Sequence, residues 1–490
     1  MTETPNKEYD ESSQLRYAET LTDPKGNMRP TTVSLGSTDS SRIERMLEAP
    51  ESNYVQIAGL MNALRRKNGT VGSTLRYLMS HLTYNYSMYS APTQKGEFSM
   101  ENGTLEDYLG AASYLNMYGI KRMASYFTLQ VLTNGMAFFY EMKDSKDVSY
   151  MEFPIGWGRI SSMKNGVYRW EIDMSQMKDE LIPYMPNEIQ KAYEEYNNKA
   201  NMDEKRWRDG KYYRLSDKAV AFCIDNGVMT NGGIAISEFA SLLVDSLSLE
   251  KAKNNIEIKD DIDTVRIIHA KIPLDKDNKP SMSAKAAREY DNALKRSLPK
   301  GVVGVTNPMG LSNVPLSGAG STKSYEIADK AQKQLFLSTG TPSSLFGSET
   351  TSSNIVKLTV KKDAAWLYTT IIPMLEDYYN TILSSFKTKS GLIYRISFLR
   401  QSNFTIDEDI KNIKDAVTMG GSRLDYLAAL GNEPLEAYSK LVMEQQVLNI
   451  DSIMLPKQTS FTMSSKDSDG AGRPTTNEPT DDTDRINDSQ

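Results

Sequence analysis

The most informative part of the sequence is residues 324–387, SYEIADKAQKQLFLSTGTPSSLFGSETTSSNIVKLTVKKDAAWLYTTIIPMLEDYYNTILSSFK. Its last part repeats apolar residues at intervals of three and four, which is typical of one helix face. The predicted apolar face consists of Leu358, Ala365, Leu367, Ile371, Leu375, Tyr378 and Ile382. The predicted polar side carries Lys361, Lys362, Glu376 and Asn380. A continuous helix over 355–387 would be about 50 Å long, with a kink expected at Pro373 and a cap at Ser352, Ser353 or Asn354.

A long loop precedes this helix, at residues 339–354 (TGTPSSLFGSETTSSN). Its residues are small and hydroxylated, with Gly340 and Gly347 as flexible points and Leu345-Phe346 as the apolar anchor. Loops of this length inside compact domains are usually functional or disordered. Two interpretations remain open for the loop, namely a functional element and an ordinary helical hairpin with a mobile surface loop.

The order of helix, GTPSSLFG-type turn, TSSN and long helix with an internal proline resembles the core of tailed-bacteriophage portal proteins. The resemblance implies that the loop faces a central tunnel for DNA. The DNA-facing candidates are Thr341, Ser343, Ser344, Phe346, Gly347, Ser348, Thr350 and Ser352. Candidate lumen cations on the two helices are Lys330, Lys333, Lys357, Lys361 and Lys362. Solvated helix faces are an equally good interpretation of these lysines.

Composition sets limits on the class of protein. The 490 residues, 39% hydrophobic and 24% charged, predict a soluble protein of two to four domains. No run of 18 apolar residues is present, so we expect no membrane span. One cysteine, Cys223, excludes an intramolecular disulfide and is expected in a buried strand. The net charge of −6 argues against a protein that coats nucleic acid, but not against one along which DNA slides.

The chain before the decisive stretch predicts an α+β fold. Residues 1–40 are expected to be a disordered arm, and residues 41–236 the first part of a domain that matches the portal wing. Within it we expect helices from 41 to about 89, at 104–117, at 120–132 and at 188–198. The predicted strands are MAFFYEM, VSYMEFPI, GRISSM, VYRWEIDM and the run 219–224, with Trp157 and Trp170 packed on the sheet and a hairpin turn at 164–166.

The remaining chain follows the portal order, as a multidomain subunit with an α/β wing, two stem helices, a small α/β clip, a long kinked tunnel helix and a helical crown. Stem helices are predicted at 237–257, capped by Ser237, and at 324–338. They enclose a clip at 258–323, with strand VRIIHAKI, a helix at 283–297 and a strand pair GVVGVT and SNVPLS. The tunnel loop at 339–354 leads into the long helix and a wing-return strand at 355–400. A crown of three short helices at 401–456 and a disordered acidic tail at 457–490 complete the prediction.

The sequence contains partial matches to two ligand-binding motifs, and each lacks a residue that its motif requires. A Walker loop around Lys323 would need glycines where Thr322 and Ser317 stand. A calcium loop from Asp275 would need glycine at Pro280. The lone histidines His81 and His269 are expected to be packing or sheet residues, with surface exposure as the alternative for His81. Asp260, Asp261 and Asp263 are expected in a solvated acidic turn rather than in a Mg²⁺ site. We therefore expect no catalytic residue, metal or cofactor.

The resemblance implies a homo-oligomeric ring, dodecameric in virions, at one capsid vertex, assembled in the host cytoplasm. Such a ring is the conduit for packaging and ejecting DNA, which it contacts without reading sequence. Its implied partners are the terminase large subunit, a head–tail connector or adaptor, and the major capsid and scaffold proteins, with no membrane. The expected dock for the motor and the connector is the clip. Two alternatives remain, another virion structural protein from a tail or baseplate, and less favoured, an enzyme of the packaging apparatus.

Overall fold

The computed structural model describes residues 40–91, 103–144, 147–198, 202–264, 266–271, 281–297, 302–307, 321–340 and 353–450. The predicted arm up to residue 39, the tail at 457–490 and the predicted strand at 312–317 lie outside the described residues. Within the described part, no helix is long and apolar enough to cross a membrane.

Helices and strands both contribute to the fold, which is mixed α+β. The helices are α1 (Ser40–Glu48), α2 (Pro50–Lys67), α3 (Gly69–His81), α4 (Thr104–Asn116), α5 (Ile120–Asn134), α6 (Asn187–Asn198), α7 (Leu242–Thr264), α8 (Ala284–Ser297), α9 (Ser321–Thr339), α10 (Ser353–Ser384), α11 (Ile406–Thr418), α12 (Arg423–Ala429) and α13 (Pro434–Val442). The strands are β1 (Tyr86–Ala91), β2 (Met136–Lys143), β3 (Val148–Phe153), β4 (Gly158–Lys164), β5 (Val167–Asp173), β6 (Trp207–Arg208), β7 (Tyr212–Arg214), β8 (Ala219–Cys223), β9 (Arg266–Lys271), β10 (Val302–Asn307) and β11 (Ile393–Phe398).

A seven-stranded antiparallel sheet lies in the region predicted as the wing. Its strand order is β3-β2-β8-β5-β7-β6, and β4 pairs with β5. Alternate residues of β2 enter two different cores, Phe139 on one face and Phe138 on the other, so the sheet is buried on both sides. Trp170 stacks on Phe138 at 5.0 Å and donates its indole N–H to the Phe139 carbonyl at 3.1 Å. The prediction that Trp170 packs on the sheet is therefore confirmed.

Local turn chemistry explains the hairpin between β4 and β5. Asn165 and Gly166 have φ values of +53° and +79°, which is the pair of left-handed residues that a two-residue hairpin turn requires. Cys223 lies buried in β8, as predicted, and burial raises the pKa of its thiol to about 12. Burial likewise lowers the pKa of His81 to about 4. His81 is a packing residue, and its Nδ1 lies 3.0 Å from Ser402 Oγ.

Strand β1 corrects the predicted helix at 41–89. Residues 86–91 pair antiparallel with β11, with Tyr86 opposite Phe398 and Ala91 opposite Ile393. The aromatic residues at positions 86, 89 and 398 favour a strand once a partner is present, and that partner lies some three hundred residues later in the chain. The strand predicted in GLIYRISFLR is confirmed as β11, while its role as a wing-return strand stays a prediction.

The described residues between α7 and α9 form a β-α-β unit. The predicted strand GVVGVT is confirmed as β10, and its pairing with SNVPLS stays a prediction because SNVPLS lies outside the described residues. β10 pairs with β9, and the pairing is parallel, so a crossover is needed and α8 supplies it. Helices α7 and α9 pack against each other on either side of this unit in the chain. The predicted acidic turn at Asp260, Asp261 and Asp263 is wrong, because these residues belong to α7. The side chain of His269 lies outside the described part.

Helix α7 begins later than predicted. Ser237 does not cap it, because its hydroxyl donates to the Leu132 carbonyl at 2.6 Å and accepts the Phe239 amide at 3.1 Å. Single turns follow until the helix starts at Leu242.

The C-terminal helices agree with the prediction of three short helices, with left-handed glycines at Gly420 and Gly431 between them. The chain divides into two compact units, residues 1–435 and 436–490. In the described part of the second unit, α13 ends and a π-helical turn follows at Met443–Val447.

Candidate nucleic-acid interface

The candidate loop is bounded by two helix ends that the structure describes. Helix α9 ends at Thr339, and Gly340 follows with φ +69° in the left-handed region, a common way to end a helix. The Gly340 amide donates to the Leu337 carbonyl at 3.0 Å. The predicted DNA-facing residues lie outside the described part, namely Thr341, Ser343, Ser344, Phe346, Gly347, Ser348, Thr350 and Ser352.

Helix α10 begins at Ser353 and runs for 32 residues through Pro373. Ser353 and Asn354 therefore lie in its first turn, and Ser352, the remaining cap candidate, is outside the described residues. Proline cannot donate a backbone hydrogen bond, so the Thr369 carbonyl loses its usual helical donor. The hydroxyls of Thr369 and Thr370 both donate to carbonyls of the preceding turn, an arrangement that often bends helices.

The buried face of α10 differs in part from the predicted one. Leu367, Ile371, Leu375, Tyr378 and Ile382 are buried as expected. Leu358 is 68% exposed and Ala365 is also exposed, so both lie off the buried face. Their predicted place is taken by Val360 and Ala364.

Two residues predicted on the polar side of α10 instead bind the edge of β11. The side-chain oxygen of Asn380 accepts the Ile396 amide at 2.8 Å. The Glu376 carboxylate accepts the Phe398 amide, also at 2.8 Å. These side chains occupy backbone donors that a strand edge would otherwise leave free.

The five candidate lysines are all exposed, but three of them face carboxylates. Lys333 Nζ lies 3.3 Å from Asp329, and Lys361 Nζ lies 3.0 Å from Glu408 on α11. Lys362 Nζ lies 4.0 Å from Asp363. Lys330 and Lys357 have no ion pair among the described residues.

Lys362 of α10 lies close to the end of α9. Its Nζ lies 3.9 Å from the point where a Cβ on Gly340 would be. A cation at this place is favourable, because the carbonyls at the end of α9 carry partial negative charge. The structure thus brings Lys362 next to Gly340, where the 341–352 segment begins, while the adjacent Lys361 pairs with Glu408.

A buried carboxylate that the sequence analysis missed supports this end of α10. Asp363 is 7% exposed and accepts the Tyr77 hydroxyl at 3.1 Å. Burial is the main cause that raises the pKa of Asp363 above its usual range. The signal was available, since Asp363 stands four residues before Leu367 and eight before Ile371, a buried position on an apolar face.

The chemistry of the described residues is that of a weak electrostatic surface. Within the described ranges, no group of three or more histidine, cysteine, aspartate or glutamate side chains is placed to hold a metal ion. Exposed ion pairs such as Lys361–Glu408 are individually weak. A phosphate could therefore compete with the carboxylate for the same lysine.

Comparison with known proteins gives little support for any family. No protein-family model matches the chain, and no curated protein matches it. Among the solved structures that match is a chain from a structure described as the neck of an empty GTA particle computed with C6 symmetry. That match has a TM-score of 0.42 and 12% identity, and covers 76% of this chain and 93% of the other. At this TM-score and identity, the likeness does not establish a shared function.

Proposed function

We propose that the chain is the subunit of a ring that conducts DNA through one capsid vertex, as a phage portal does, and that it has no catalytic role. The observation that carries the proposal is the order of elements. Helices α7 and α9 pack together and enclose a β-α-β unit, α10 follows, and β11 then returns to pair with β1 near the beginning of the chain.

In the proposed ring, each lysine that binds phosphate weakly is repeated in every subunit and so forms a continuous circle of positive charge. Every subunit contributes Lys330, Lys333, Lys357, Lys361 and Lys362 beside the 339–354 segment, which faces the DNA. Carboxylates near three of these lysines lower the local positive potential. Strong phosphate binding would hold DNA in place, so a partly neutralised circle of charge suits DNA that must slide.

The proposed partners follow from the same scheme. The 258–323 segment, with its β-α-β unit, docks the terminase large subunit during packaging and the head–tail connector afterwards. The ring assembles in the host cytoplasm with major capsid and scaffold proteins, and it stays in the virion.

Native mass measurement with negative-stain imaging tests the proposal. The expected result is a closed ring with a central hole and a mass close to twelve times the 55.0 kDa of one chain. The proposal is wrong if the protein remains a monomer or dimer, including when the capsid and scaffold proteins are present.

A second experiment tests the lysines. Glutamine at Lys330, Lys357 and Lys362 removes three cations per subunit. The expected result is an intact ring with changed DNA translocation or retention. The matched control places glutamine at Lys191, Lys253 and Lys411, which are exposed lysines outside the candidate site and outside the 258–323 segment. Equal DNA translocation and retention by the two variants in a packaging assay would mean that these lysines have no role in the mechanism.

A further inference from the structure

A second group of cations lies at the corner between α2 and α3. Helix α2 ends with Arg65, Arg66 and Lys67, and Asn68 leads directly into α3. The side chain of Asn68 caps α3 by accepting the amides of Thr70 and Val71. We call the three cations the α2 corner.

The α2 corner has no counter-charge in the described part of the chain. None of its three side chains takes part in an ion pair there. The Arg65 Nε is buried and has no hydrogen-bond partner. Burial, followed by the charge of Arg66, lowers the pKa of Arg65. A partly desolvated guanidinium beside a second one is unfavourable unless an anion completes the site.

Other partly buried arginines of the molecule are neutralised, which makes the α2 corner unusual. Arg159 Nε lies 2.5 Å from Glu171 and its Nη2 lies 3.0 Å from Asp209. Arg169 Nε lies 3.9 Å from Asp217, and its Nη1 donates to the Asp217 carbonyl at 2.6 Å. Arg169 Nε, like Arg65 Nε, is buried without a hydrogen bond. Of these three arginines, Arg65 alone has no ion pair among the described residues.

The favourable effect of cations at a helix C-terminus explains only part of this arrangement. Arg66 and Lys67 are exposed and can interact with the last carbonyls of α2 from solvent. That effect gives no reason for Arg65 to place its Nε where neither water nor an acceptor reaches it. An anion bound from solvent beside Arg65, Arg66 and Lys67 would supply the counter-charge that the described residues do not provide.

The surroundings favour a polyanion over a protein partner. The cores of protein interfaces are enriched in large apolar and aromatic residues. None of the described exposed large apolar side chains lies on α2 or α3. Three adjacent cations on a stretch without exposed large apolar side chains match the pattern of sequence-independent phosphate contacts.

We propose that the α2 corner binds the phosphate backbone of double-stranded DNA, as a site separate from the 339–354 segment. The choice of DNA among polyanions rests on the proposed function. Binding at this corner would hold a stretch of duplex against the outside of the subunit without reading its bases.

The test is equilibrium binding of a labelled DNA duplex to the full-length protein over a series of salt concentrations. The variant carries alanine at Arg65, Arg66 and Lys67. Each lost phosphate contact reduces the slope of log K against log salt by about 0.9. The variant is therefore expected to bind more weakly at low salt, with a slope smaller by about 2.7.

A matched control keeps the charge change the same. Alanine at Lys191, Lys205 and Arg214 also removes three exposed cations from the wing region and should leave the salt slope near that of the parent protein. An equal effect of both variants would overturn the site, because net charge alone would explain it. An unchanged slope in the α2-corner variant would overturn it as well.

Mass measurement on the same variants separates this inference from the proposed function. If the corner variant fails to assemble while its salt slope is unchanged, the corner is a contact between chains and the DNA site is wrong. If neither the parent protein nor any variant forms a ring, the proposed function is wrong. The salt dependence of binding still shows whether the α2 corner binds DNA.

Discussion

The two halves of α10 are held in very different ways. In the C-terminal half, Asn380 and Glu376 bind the edge of β11. Tyr378 is 2% exposed, and its hydroxyl lies 3.2 Å from Glu141 and 2.7 Å from Tyr150. In the N-terminal half, Ile355 and Leu358 are more than half exposed. The helix is thus firmly anchored far from the 341–352 segment and lightly held next to it.

The lightly held part of the N-terminal half is its first two turns, residues 353–359, since Val360, Ala364, Leu367 and Ile371 after them are buried. Asp363 accepts the Tyr77 hydroxyl, and Lys361 forms an ion pair with Glu408. Pro373 separates the two halves, where one helical hydrogen bond is missing. Elements with few buried contacts open locally at lower free energy than the core. The same helix is therefore fixed firmly at its C-terminal end and held more loosely in its first turns.

The largest effect is expected at the β4–β5 turn, which lies against the anchored half. Gly166 has φ +79°, and a Cβ there would overlap the Asp377 carboxylate. Gly166→Ala should lower the free energy of unfolding by about 1–3 kcal/mol from backbone strain alone, with a further loss from the overlap. Denaturant titration measures the change.

Gly210→Ala is the matched control for that substitution. Gly210 has φ +64° in the turn between β6 and β7, and nothing lies within 4 Å of its Cβ position. It should show the strain without the overlap. Equal losses in the two variants would mean that the turn does not hold Asp377 and α10 in place.

The second effect concerns the edge of β11. Asn380→Ala removes the acceptor of the Ile396 amide and should cost about 1–3 kcal/mol, because a buried donor is left without a partner. Tyr77→Phe removes the hydroxyl that donates to the buried Asp363 carboxylate in the N-terminal half. Hydrogen exchange should show faster opening over the N-terminal half of α10 in Tyr77→Phe, and global destabilisation in Asn380→Ala. Global destabilisation in Tyr77→Phe together with only local opening in Asn380→Ala would mean that the N-terminal half of α10 is the firmly anchored one.

The features of the fold that depend on local residue spacing could be predicted from the sequence. The apolar repeat of α10 and the Asn165-Gly166 turn follow from periodicity and turn chemistry. The two-sided role of α10 could not be predicted, because Asn380 and Glu376 look like solvated polar residues until β11 is placed beside them. In the same way, the helix–helix pair of Lys361 and Glu408 depends on where α11 lies, and strand β1 depends on a partner far along the chain.

The third effect is a pH dependence with opposite signs at two carboxylates. Burial raises the pKa of Glu141, which contacts Tyr378 of the anchored half. The folded state then holds the proton more tightly than the unfolded chain, so the contribution of Glu141 to stability decreases as pH rises through the raised pKa. The stability of Glu141→Gln relative to the parent protein should therefore be highest near neutral pH and should decrease in acid.

Asp107 provides the opposite case. Hydrogen bonds from the Ser390 hydroxyl and from the amides of Lys389 and Ser390 lower its pKa. Its contribution is present above the unfolded pKa and is lost as pH falls through the lowered value. Asp107→Asn should be less stable than the parent protein near neutral pH and approach it in acid. Thermal unfolding over a pH series checks both variants. If the stability difference from the parent protein changes with pH in the same direction for both, the opposite roles assigned to Glu141 and Asp107 are wrong.

The smallest effect is expected for the ion pair that tethers the N-terminal half. Lys361 and Glu408 are 54% and 58% exposed, and a double-mutant cycle with Lys361→Ala and Glu408→Ala should give a coupling of about 0.2–1 kcal/mol that disappears at high salt. The i,i+4 pair of Lys333 and Asp329, which is similarly exposed, is the matched reference within one helix. A coupling above about 2 kcal/mol, well beyond that of exposed pairs, would mean that α11 fixes the N-terminal half of α10 firmly. Lys361 would then be committed to Glu408 rather than available to a passing phosphate, and the contrast between the two halves would no longer hold.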